Sequence, residues 1–203
     1  MSRGLHYGPA RVPARESPEA AVQALLDRAL TACEIDFEGR FWMDYEFADR
    51  FGELCRKEDI VLSVHAPIAG FMGHAERGKK LNMAVGMLDH SAGIAVAAGA
   101  ELVVFHPGFL LGRSREDAID SVCEQLGELR ERLEGKGRAV PFGIEVMGRV
   151  RELGSLDVVA AFMRAAYGKG YCDALTEDSP GSLCVDHGYR VPARKPQPAA
   201  ADA

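Results

Sequence analysis

Four polar residues, His65, His106, Glu145 and Asp186, each stand at the end of an apolar run, and they follow one another at spacings of 41, 39 and 41 residues. One strand, one helix and their connections fill a repeat of that length, so each unit delivers one polar side chain to the end of a strand. The runs are ACEIDF at 32–37, IVLSVHAP at 60–67, ELVVFHPG at 101–108, VPFGIEVM at 140–147 and SLCVD at 182–186. Pro67 and Pro107 stop two of them, because proline cannot donate to a sheet ladder.

Helical patterns lie between the strands. Ser17-Pro18-Glu19 is a helix start, and Ala21, Leu25, Ala29 and Leu30 continue an apolar stripe to about Thr31. Residues 44–58 carry Phe47, Phe51 and Leu54 on one side, and 76–98 form a long helical stretch. Residues 114–135 place Ile119, Val122, Leu126, Leu129 and Leu133 at amphipathic spacing, and Ser155 opens a helix to 167. Strands alternating with helices along the chain predict parallel pairing with right-handed crossovers, hence the α/β class.

Among α/β folds the strand-end pattern favours a (β/α)8 barrel, in which the carboxyl ends of all strands converge on one mouth. A doubly wound sheet spreads its strand ends and favours a glycine-rich phosphate loop, and neither G-x-G-x-x-G nor a Walker sequence occurs here. About six βα units fit into 203 residues, so residues 1–187 are expected to form an incomplete barrel domain and the Pro/Ala-rich 188–203 a disordered tail. Two imidazoles and two carboxylates at one mouth suit zinc, with manganese or iron where carboxylates dominate. Glu145, inside FGIEVM, needs a cation or several donors to offset burial of its charge. His6, His74 and His90 fall outside the register and read as loop or helix-surface residues.

Composition narrows the class further. Charged residues are 27% and hydrophobic ones 47%, ordinary for a globular protein. A net charge of −6 argues against holding nucleic acid by general basicity, though not against a local basic groove. Without a run of about eighteen apolar residues or a signal-like start, the cytoplasm is the expected compartment and no membrane partner is expected. Cysteines 33, 55, 123, 172 and 184 include no C-x-x-C pair and read as reduced, mostly buried thiols.

In VLSVHAPI, VVFHPGF and FGIEVMGRVRELGSL, above all in the His-Pro-Gly triplet after an apolar strand, the sequence resembles the endonuclease IV family of apurinic/apyrimidinic endonucleases, within the xylose isomerase-like barrels. The resemblance covers about residues 4–167. It implies a zinc-dependent hydrolase that cuts the phosphodiester 5′ to an abasic site in DNA during base excision repair. By position, His65 and His106 would ligate a first metal, Glu145 would bridge it to a second and help orient the nucleophile, and Asp186 with the adjacent His187 would serve the second. Arg40, Arg113 and Arg149, just beyond strand ends, would contact phosphates. The family's later ligands have no counterpart in this chain, so truncation, impaired activity and self-association through open barrel edges are expected. The alternatives are a sugar isomerase or epimerase of the same superfamily and a non-catalytic incomplete barrel.

Overall fold

The computed structural model describes residues 5–37, 39–145, 152, 153 and 155. Four strands, β1 (Ala32–Asp36), β2 (Val61–His65), β3 (Val103–Phe105) and β4 (Phe142–Ile144), pair in parallel in chain order. The helices α1 (Pro18–Leu26), α2 (Tyr45–Lys57), α3 (Lys79–Ala98) and α4 (Arg115–Gly135) alternate with them, and each packs against the next. This is an α/β fold whose sequential parallel order is that expected of a (β/α)8 barrel. The expected strand at 182–186, the helix at 155–167 and the tail at 188–203 lie outside the described residues, as do Arg149, Asp186 and His187.

Helix starts follow from side-chain caps. Ser17, Asp44 and Ser114 accept hydrogen bonds from the backbone N–H groups of Ala20, Phe47 and Asp117 and so open α1, α2 and α4. The end of α1 differs from expectation. Its apolar spacing continues to Leu30, but Ala29 adopts a left-handed conformation with φ 53° and Leu30 N–H donates back to Leu25 O at 3.0 Å. Leu30 therefore packs against the core from a turn rather than from a helix.

The opening segment runs beside β1 without being a regular strand. Ala32 N–H donates to Tyr7 O at 2.9 Å and Glu34 N–H to Pro9 O at 3.0 Å. A parallel ladder needs a return bond from residue 9, and Pro9 has no N–H to supply it. Gly8 permits the close approach, since a Cβ there would overlap the Ala32 carbonyl.

Alternation along the strands separates two faces. Cys33, Ile35, Leu62, Val64, Val103 and Phe105 join the helix residues Leu25, Phe51, Leu88, Ile94 and Leu129 in one buried core. The other face carries Glu34, Asp36, Ser63, His65 and Val104. His90, expected on a helix surface, instead packs edge-on against Phe41 and Tyr45, with ring centroids 4.4 and 5.5 Å away. Burial, then the charge of Arg138, holds its imidazole below the ordinary pKa. Cys33, Cys55 and Cys123 are buried free thiols, as the sequence suggests. No helix among the described residues is long and apolar enough to cross a membrane.

Two contacts fix the helical layer. Gly52 of α2 lies against the last turn of α3, where a Cβ would overlap the Ala98 carbonyl. Asp89 of α3 is buried among three cations at the end of α4, with Lys136 at 2.5 Å, Arg132 at 3.0 Å and Arg138 at 3.4 Å. Burial alone would raise the Asp89 pKa, but Lys136 and then the two arginines outweigh it and hold the carboxyl below its usual range.

Gly52→Ala is expected to cost about 1–3 kcal/mol in urea unfolding through helix separation. Asp89→Asn should cost about 1–2 kcal/mol at neutral pH, a modest figure because all three cations are more than a third exposed and screened. Because the folded pKa of Asp89 is depressed, its contribution is present above the ordinary aspartate range and lost as pH falls through the folded value. The gap between wild type and Asp89→Asn should therefore close in acid.

Candidate metal centre

The carboxyl ends of β2, β3 and β4 bring three of the sequence-selected residues together. His65 is the last residue of β2, and His106 and Glu145 directly follow β3 and β4. Register sets their common direction: His65 pairs with Val104, and Val104 with Gly143, so His106 and Glu145, each two residues on, share the face of His65. Pro107 ends the ladder immediately after His106. Glu145 N–H still donates to Phe105 O at 3.0 Å, which holds the carboxylate at the rim.

One ligand atom from each of the three lies within 4.8 Å of the others. Glu145 Oε2 is 2.7 Å from His65 Nε2 and 3.4 Å from His106 Nε2, and the two rings are 5.1 Å apart. All three side chains are at most 14% exposed. The other ring nitrogen of His65 lies 2.9 Å from Ala66 O, and an Nδ1–H donated there leaves Nε2 directed at the carboxylate. Burial would depress the His65 pKa, but the Glu145 bond, the nearby charge of Glu34 and the Ala66 bond outweigh it and raise the imidazole above its ordinary range. Two nitrogens and one carboxylate oxygen at this spacing could hold a divalent metal.

The arginines selected from sequence separate. Arg40 is exposed in the β1–α2 connection, on the rim. Arg113 is spent on structure: its guanidinium donates to Gly73 O at 3.1 Å, Ser121 Oγ at 2.9 Å and Asp117 O at 2.8 Å, tying the loop after β2 to α4.

Sequence reading passed over the polar side chains of β1. Asp36 pairs in register with His65, and Glu34 accepts a hydrogen bond from Ser63 Oγ at 3.1 Å. The alternation Cys33, Glu34, Ile35, Asp36 carried that signal, hidden when the run is taken as simply apolar. Asp36 itself accepts a 2.6 Å bond from Arg15.

Residues 22–172 match the family model of the xylose isomerase-like TIM barrel. An uncharacterized protein of Methanocaldococcus jannaschii is 29% identical over 154 residues, which are 75% of this chain and 55% of that protein. A D-tagatose 3-epimerase-like protein superposes with a TM-score of 0.60 at 22% identity, covering 76% of this chain and 60% of its own. Endonuclease IV from Thermus thermophilus gives 0.59 at 20%, covering 78% and 59%. The chain thus spans little more than half the length of these relatives, and the solved structures share its fold at identities too low to carry function. By its matched span and its strand-end architecture, the chain belongs to the xylose isomerase-like TIM barrel family.

Proposed function

We propose that the protein is a metal-dependent phosphodiesterase of the endonuclease IV type, acting in the cytoplasm on DNA at abasic sites. The observation that supports this reading is the convergence of two strand-end imidazole nitrogens on one carboxylate oxygen, a donor set suited to zinc. Asp186 and His187 are the proposed ligands for a second metal, and Arg40 and Arg149 are proposed phosphate contacts.

The distances fit a metal in an instructive way. Tetrahedral zinc with ligands at about 2.0–2.1 Å sets neighbouring ligand atoms about 3.3–3.4 Å apart. His106 and Glu145 already stand at 3.4 Å, whereas the 2.7 Å between His65 and Glu145 is a hydrogen bond closed by a proton. Metal and proton would therefore compete for one place, and to serve as a ligand His65 would lose its Nε2 proton and its distance from Glu145 would grow by about 0.6 Å. When bound, such a metal supplies polarisation of a phosphoryl oxygen and activation of water at neutral pH. His65 and His106 hold their nitrogens toward the site, Ala66 O fixes the His65 tautomer, and Glu145 orients the attacking group from a largely water-excluded position.

A second reading, a sugar epimerase, is favoured by the net charge of −6 and by the Glu34–Ser63 pair on the same face, which could receive sugar hydroxyls. Incubation with zinc or manganese on an abasic-site duplex, beside a panel of ketoses, separates the two. Cleavage of the duplex is expected; epimerisation without cleavage would replace the nuclease reading, and neither reaction would leave a non-catalytic barrel.

Glu145→Ala should lower cleavage at least about a hundredfold with an unchanged circular dichroism spectrum, because it removes the shared carboxylate. The raised His65 pKa also predicts opposed pH trends. Without metal, the charged His65–Glu145 pair stabilises the fold below the ordinary imidazole pKa, and this is lost as pH rises through the folded value. Melting in chelator should therefore weaken with rising pH across that window, while calorimetric zinc affinity strengthens. His65→Ala should flatten the melting trend.

A further inference from the structure

The geometry points to Arg15, held between the Asp36 carboxylate and the Trp42 ring, as a phosphate-binding residue at the barrel mouth beside the His65–His106–Glu145 centre. The opening segment is parallel to β1, with Tyr7 and Pro9 beside Ala32 and Glu34, so residues after Pro9 emerge at the carboxyl end of the sheet. Val12 N–H reaches Asp36 Oδ1 at 3.4 Å, and Arg15 Nη2 donates to Oδ2 at 2.6 Å. The Arg15 guanidinium also lies 4.2 Å from the centroid of Trp42, whose indole N–H donates to Asp36 O at 2.8 Å. Asp36 is the register partner of His65, which places neighbouring backbones about 4.8 Å apart.

Arg15 is thus a guanidinium fixed by a carboxylate at one edge and an aromatic face below, within one strand of the candidate metal centre. Yet 43% of its side chain stays exposed, against 10% for Asp36. Its bond to Asp36 uses one nitrogen, and the fork has further N–H donors in a geometry that matches phosphate oxygens. An arginine already immobilised in this way loses little freedom on binding, which favours a phosphate over the solvent it displaces. Arg15 also offsets carboxylate charge on this face, where Glu34 and Asp36 pair with Ser63 and His65 and Glu145 meets His65. Arg113, one of the arginines the sequence put forward, has its donors engaged by Gly73, Ser121 and Asp117.

This inference rests on the proposed function only in giving the substrate a phosphate, and it is testable without catalysis. Trp42 is the only tryptophan of the chain, so its emission reports directly on the guanidinium stacked over it. The full chain in chelator is titrated with inorganic phosphate, with chloride at matched ionic strength and with an uncharged ketose. Binding of a labelled duplex carrying a tetrahydrofuran abasic analogue is followed by anisotropy. A saturable emission change with phosphate alone and duplex affinity at least about tenfold weaker in Arg15→Ala are expected. Should Arg15→Ala fail to fold, Arg15→Lys keeps a cation for Asp36 but loses the planar fork, and should bind several-fold more weakly. No saturable response, an equal response to chloride, or undiminished duplex binding by a folded Arg15 variant overturns the role of Arg15. Binding of phosphate without metal-dependent cleavage leaves Arg15 in place and removes only the nuclease reading.

Discussion

In a parallel sheet a slip of one residue turns every side chain of a strand to the opposite face. The register Asp36–His65, His65–Val104 and Val104–Gly143 is therefore what allows His106 and Glu145 to meet His65. The same register directs Cys33, Ile35, Val64 and Phe105 into the helix-covered core. The core enforces the site: a slip that parted His65 from Glu145 would also bring Ser63 or Glu145 into apolar surroundings, at several kcal/mol for a charge without partners.

Much of this order is legible in the sequence, for identifiable reasons. Strand ends are marked by Pro67 and Pro107, and helix starts by Ser17, Asp44 and Ser114, because proline and capping side chains act within a few residues of where they stand. The convergence of His65, His106 and Glu145 was readable because their spacing repeats with the βα unit. Apart from the polar alternation of β1, what escaped depends on contacts distant in sequence. The ring environment of His90 is supplied by Phe41 and Tyr45, more than forty residues earlier. The Arg15–Asp36–Trp42 arrangement joins the opening segment, the end of β1 and the β1–α2 connection, which no local pattern links. The irregular opening segment turns on a single missing N–H at Pro9.

The division between scaffold and chemistry is sharp in this fold. Apolar alternation makes the sheet and its helical cover, and the connections after each strand decide what the mouth accepts. Endonuclease IV and a D-tagatose 3-epimerase-like protein are equally near in shape, which is the expected result when the frame is shared and the rim is not. Arg15, Arg40 and Trp42 stand in or beside such connections rather than in the strands.

The three cations around Asp89 also bear on the strand that carries Glu145. Lys136 and Arg138 form the turn after α4, and Arg138 stands four residues before Phe142, the first residue of β4. Phe142 and Ile144 are only half-buried, unlike their counterparts in β1, β2 and β3. β4 is consequently moored by charge at its entry and by the His65–Glu145 bond at its exit, with less apolar weight between. Salt, which screens exposed ion pairs, is therefore expected to act on the approach to this strand as it acts on the Arg15–Asp36 pair at the end of β1.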